Sequence, residues 1–106
     1  MRVRLTGQAT DDIRKVGNYY DEVAPEVADR FLDAVDDVIE RLRMFPDGAP
    51  PVEGFDGLRR ARMRQFPYGV FYQRSGDAEL HVIRVLHNAR DYSQGFGGDP
   101  NTYEEM

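Results

Sequence analysis

Cysteine and tryptophan are absent from the 106 residues, and histidine occurs only twice, at His81 and His87. Without thiols there is no disulfide framework and no thiolate nucleophile, and two imidazoles alone make a poor zinc site. The sequence therefore predicts no metal and no cofactor. Lysine is nearly missing too: 13 of the 14 basic residues are arginine, with Lys15 the exception. Arginine's planar fork suits carboxylate or phosphate, although codon bias in a GC-rich genome produces the same excess. No apolar run approaches the ~20 residues that a membrane-spanning helix needs, and the opening Met1-Arg2-Val3-Arg4-Leu5 is not the apolar core of a secretory signal. The expectation is a cytoplasmic protein with no membrane partner.

What is present is an ordinary globular composition, 41% hydrophobic and 31% charged, too apolar for a disordered chain and short enough for one core. We expect a single domain over residues 1–94 and a flexible, acidic C-terminal tail over residues 95–106. The formal charge of −5 is unevenly spread. Residues 1–53 hold 7 basic and 12 acidic side chains, a balance of −5, whereas residues 58–94 hold 7 arginines against Asp77, Glu79 and Asp91, a balance of +4. Such asymmetry predicts different partners for the two segments.

Val3 and Leu5 alternate with Arg2, Arg4 and Thr6, the period of a short strand with one buried face. Thr6 is placed to cap a helix in which Ala9, Ile13, Val16 and Tyr20 form an apolar stripe, with Asp11 and Asp12 at its positive end. Ala24-Pro25 ends that helix and starts another, because proline is favoured at the first helical position. Val27, Phe31, Ala34, Val35, Val38, Leu42 and Phe45 then recur at three-and-four spacing. The opposite face, with Asp29, Asp33, Asp36, Asp37 and Glu40, reads as a solvated surface carrying an Asp37–Arg41 i,i+4 pair.

The prolines and glycine from Pro46 to Pro51 place a loop over residues 46–57. Alternation over residues 58–66 predicts a strand presenting Arg60, Arg62 and Arg64 on one face, with Ala61 and Met63 on the other. A third strand through Val70-Phe71-Tyr72 ends near Arg74, and Ser75-Gly76-Asp77 is a hairpin turn. The fourth strand, residues 80–86, is almost continuously apolar, as one buried on both faces should be. The fold class predicted is α+β in the order β-α-α-β-β-β, a helical hairpin packed on a small antiparallel sheet.

These segments resemble the ParE/RelE toxin superfamily, in the same order and over about residues 1–92. The resemblance is carried by Ala9-Thr10-Asp11-Asp12-Ile13 with Tyr19-Tyr20, residues 25–31, Leu42-x-x-Phe45-Pro46, Gly57-Leu58-Arg59, residues 68–72, and the closing Arg84-Val85-Leu86-His87-x-x-Arg90-Asp91. That ending is ParE-like. The resemblance implies a toxin of a type II toxin–antitoxin pair, with a cognate ParD/RelB-like antitoxin and a target met by the sheet and C-terminal segment. Operator DNA would be met only through the antitoxin.

ParE-like members implicate DNA gyrase, which they inhibit by binding, thereby arresting growth and stabilising plasmid or chromosome; RelE-like members resemble ribosome-dependent mRNA endonucleases. For gyrase binding the candidate surface is Arg60, Arg62, Arg64, His87, Arg90 and Tyr92. Under the nuclease alternative Arg60, Arg62 and Arg64 would hold phosphate while His87 or Tyr92 moved a proton. RelE nucleases, however, tend to carry a basic residue where Gly69 follows Tyr68 and an arginine near Asn88, and a net negative protein gains less from a polyanion. A third alternative is a relic that only binds its antitoxin.

An acidic antitoxin segment is expected on Phe66, Phe71, Tyr72 and Arg84. For His87 the bland expectation is a backbone cap or aromatic packing, and His81 is expected to be structural. Arg59 is expected to brace the sheet against the helices, Arg84 to meet a buried carboxylate or an antitoxin acid, and Arg90 to pair with Asp91.

Overall fold

A computed structural model describes residues 1–89. Its elements are β1 (Arg2–Leu5), α1 (Gly7–Val23), α2 (Pro25–Met44), β2 (Arg59–Arg62), β3 (Tyr68–Ser75) and β4 (Glu79–His87). The order is the expected one. In the sheet it becomes β1-β4-β3-β2. The last three strands are antiparallel, but β1 enters parallel to β4, from Arg2 opposite Glu79 to Leu5 opposite Val82, so the sheet is mixed rather than wholly antiparallel.

Thr6 caps α1 as predicted: the Ala9 amide donates to its Oγ1 at 3.1 Å, and the hydroxyl donates to the Ile83 carbonyl at 3.1 Å. The cap therefore also ties the helix to β4. α2 starts at Pro25 and buries Ala28, Phe31, Ala34, Val35, Val38 and Leu42. Phe45, expected to continue that stripe, is the residue after the last helical turn and stands 63% exposed.

The buried stripe meets Ala61, Met63, Val70, Tyr72, Leu80, Val82 and Val85 of the sheet and its edge. A second cluster of Val52, Leu58, Phe71, Ile83 and Leu86, with Phe55 beside it, lies apart from the first. β4 contributes to both clusters, which explains its unbroken apolar sequence. A bulge also intervenes: Phe71 faces Arg84 while Tyr72 faces Val82, leaving Ile83 as the extra residue. That slip sends Ile83 and Val85 to different clusters, although simple alternation assigns them one face. His81 is half-buried and bonds Glu79 at 3.2 Å.

β2 is shorter than predicted. It ends at Arg62, and Gln65 adopts φ 67°, a left-handed turn conformation that ends the alternation. The turn closes where the Met63 amide donates to the Tyr68 carbonyl at 3.0 Å. Phe66 is thereby carried onto Phe31 and Tyr20, at ring separations of 5.4 and 5.7 Å.

Candidate functional site: the arginine flank and the exit of the last strand

Three of the four residues expected to contact an antitoxin lie differently from the sequence expectation. Phe71 and Tyr72 are 1% and 0% exposed, and Arg84 is 8% exposed, so these three are interior and not an antitoxin surface. The hydrophobicity of Phe71 and Tyr72 belongs to the core; of the four, only Phe66 keeps partial exposure. Arg84 meets the carboxylate expected of a buried guanidinium: its Nε and Nη2 donate to Asp12 at 2.8 and 3.0 Å, and the Val85 amide donates to the same carboxylate at 2.9 Å. β1 stops opposite Val82, so Asp12 reaches from α1 to a β4 amide that no strand covers. The helix-dipole role predicted for Asp12 gives way to this bidentate pair, while Asp11 pairs with Arg14 one turn along.

The predicted arginine row divides as well. Arg60 and Arg62 lie on β2, but Arg64 falls in the turn beyond it, so the three do not form one strand face. Arg60 is half-buried, and its Nη2 donates to Asn88 Oδ1 at 2.7 Å. Arg62 and Arg64 are exposed. Arg41 does not serve an Asp37 pair; its Nη2 donates to the Arg62 carbonyl at 2.7 Å, and its Nε is buried with no hydrogen-bond partner among the described residues. Arg59 braces the loop rather than the helices, donating to the Ala49 carbonyl at 2.6 Å and the Asp47 carbonyl at 3.3 Å.

Between the end of α2, the loop and β2 lies an open cleft of about 430 Å³. Leu42, Phe45, Ala49, Pro50 and Ala61 give it apolar walls, and Arg41, Arg60 and Arg62 add cations. Met44, 66% exposed, adjoins Phe45 along the chain. Sequence reasoning placed Arg41 on the solvated helix face but not in this cleft, and it read Phe45 as core; the available signal for Phe45 was an apolar stripe that outran the helix.

His87 takes the bland role. Its Nδ1 accepts from the Ala89 amide at 3.0 Å, and its ring meets Tyr68 edge-on at 5.3 Å. An accepting Nδ1 leaves Nε2 as the donor of the neutral ring. Burial raises the Tyr68 phenol above its ordinary 10.0, with Tyr20 and Tyr19 adding to the shift, so this aromatic neighbour stays uncharged. Arg90 and Tyr92, the Arg90–Asp91 pair and the tail over residues 95–106 lie outside the described residues. Among the described residues no group of three or more potential ligands could hold a metal, and no helix is long and apolar enough to cross a membrane.

A helical pair on a four-stranded mixed sheet, with cations gathered at one flank, places the chain first in a class of small α+β proteins. A chain from a solved structure titled "Chromosomal ParDE TA system from P. aeruginosa" has the same fold, with a TM-score of 0.63 at 20% identity over 82% of this chain and 95% of that one. Toxin ParE2 of Mycobacterium tuberculosis, in strains CDC 1551 / Oshkosh and H37Rv, is 31% identical over 87 residues, 81% of this chain and 80% of that protein. The family described as "ParE toxin of type II toxin-antitoxin system, parDE" matches residues 3–92. The chain belongs to the ParE toxin family, and that membership implies a cognate antitoxin as its partner.

Proposed function

We propose that this toxin inhibits DNA gyrase by binding it, through Arg62, Arg64 and the segment leaving β4 that contains His87, Arg90 and Tyr92. The observation that carries the reading is how its polar groups are committed. Cleaving RNA requires cations converging on one phosphate and a proton-transfer group within reach of the 2′-hydroxyl. Here Arg60 is bonded to Asn88, Arg64 lies past the strand end, and His87 Nδ1 accepts from the Ala89 amide. That distribution supports a binding surface over an acid–base centre.

The antitoxin site moves accordingly to the cleft beside β2. Its apolar walls and three guanidinium groups suit an acidic, amphipathic antitoxin segment that folds on binding. Because Arg62 belongs to both surfaces, neutralisation is steric, and operator DNA is met only through the antitoxin.

A supercoiling assay with purified gyrase tests the reading. The wild-type chain inhibits, and Arg62→Ala raises the concentration needed about tenfold, as expected for truncating an interface arginine. Undiminished supercoiling at saturating wild-type protein would refute gyrase as the target. Ribosome-dependent message cleavage in its place would support the RelE-like reading, and antitoxin binding without either effect would support the relic.

A further inference from the structure

Gly69 sits near the start of β3, opposite Arg62 on one side and Leu86 on the other. Its φ lies outside the range that favours glycine, so the requirement for glycine is one of space. A Cβ there would lie 2.8 Å from Arg60 Nε, 3.2 Å from Arg60 Cγ and 3.2 Å from Asn88 Oδ1. The Arg60 side chain therefore crosses β3 over the bare glycine backbone to reach Asn88. Asn88 is held a second time, its amide donating to the Pro67 carbonyl at 2.7 Å, and the next amide, Ala89, is held by His87. Three bonds thus fix the backbone where the chain leaves the sheet.

We infer that Gly69 and Arg60 are positioning residues: the missing side chain at 69 lets Arg60 clamp Asn88 and set the direction in which the β4 exit is presented. The inference deepens the reading above, that this exit contacts the target, and it reassigns Arg60 from direct target contact to support. The atom a new Cβ would strike belongs to a flexible side chain, and the backbone at 69 is open to L residues. Gly69→Ala consequently displaces Arg60 and leaves the fold standing.

The test uses the full chain carrying Gly69→Ala, Asn88→Ala, Asn88→Asp or the Gly69→Ala/Asn88→Ala pair. Amide hydrogen exchange is read at Asn88 and Ala89, with Val85, held independently by Asp12, as internal reference. Gly69→Ala and Asn88→Ala each speed exchange at the exit and weaken gyrase inhibition, both by about tenfold, and the double variant is no worse than either single, because all remove one unit. Asn88→Asp keeps an acceptor for Arg60 and restores inhibition toward wild type. Unchanged exchange in Gly69→Ala, or losses that simply add, would overturn the clamp. A wild-type chain that leaves gyrase untouched would instead count against the target, and the exchange measurement still decides the clamp.

Discussion

The first hydrophobic cluster is built around two helices, whereas the second depends on an irregular loop. On the helix side, α1 and α2 bring a periodic stripe onto the sheet, and α1 supplies Asp12 to the open part of β4. On the loop side, Val52, Phe55 and Leu58 pack with Phe71, Ile83 and Leu86. Polar side-chain bonds hold much of that loop: Tyr72 donates its hydroxyl to the Pro46 carbonyl at 2.9 Å, Arg59 donates to the Ala49 carbonyl, and Arg74 forks onto Asp47 at 3.0 and 3.2 Å. Regular structure satisfies its own backbone, but a loop needs side chains to do so. The difference predicts a stiff helix side and a compliant loop side, with the cleft lying where they meet.

The largest expected effect breaks the helix side. Asp12→Ala strands the nearly buried Arg84 guanidinium without its carboxylate and frees the Val85 amide, and removing one partner of a buried pair costs about 3–5 kcal/mol. The loss appears as a lower urea midpoint. Adding Arg84→Met recovers much of it, since an apolar replacement removes the charge that Asp12 neutralised. A cost below about 1 kcal/mol would mean that the guanidinium finds water, as an exposed ion pair would.

A matched pair of leucines sharpens the contrast. Leu42 in the helix-side cluster and Leu58 in the loop-side cluster are 2% and 3% exposed, so the two alanine variants remove the same atoms from equal burial. The cost of Leu→Ala depends on how far the surroundings collapse into the cavity. Leu42→Ala is expected to cost about 4 kcal/mol and Leu58→Ala about 2 kcal/mol, the low end reflecting a loop that can follow the missing side chain inward. Equal losses in equilibrium unfolding would show that the loop is as stiff as the helices.

The same division governs what was legible. Thr6, Pro25 and the stripe from Phe31 to Leu42 act through local spacing, and each does what its spacing predicts. The partner of Arg84 was foreseen in kind, but Asp12 is 72 residues away in sequence and no periodicity identifies it. Phe71 and Tyr72 looked like partner-binding aromatics because they stand beside the arginines in sequence, and nothing in residues 46–57 shows that this loop covers the sheet. Once that loop folds back, the Phe71 ring is interior, whereas the Tyr72 ring is buried with the helices and only its hydroxyl meets the loop, at Pro46. Gly69 registered as the lack of a basic residue; its role as the floor beneath Arg60 depends on strands pairing across the sheet. The bulge at Ile83 likewise appears only with the register.

Acid gives the smallest and most local separation of the two sides. Asp47 is held below its ordinary 3.8, first by the hydrogen bond from Arg74, which outweighs an opposing desolvation, and then by the charges of Arg74 and Arg59. A lowered folded value means that the carboxylate's contribution is present above 3.8 and is lost as pH falls through that lowered value. The group is fully exposed, so salt screens it and global stability should barely respond. The response belongs in the loop: amide exchange at Gly48 and Ala49, taken relative to the intrinsic rate, quickens as pH falls through that lowered value, while that of Val85 follows global stability alone. Arg74→Ala supplies the control. By removing the fork it should raise the loop rate already at neutral pH and flatten the acid limb, and an acid limb identical to wild type would place the pH-sensitive tether elsewhere in the loop.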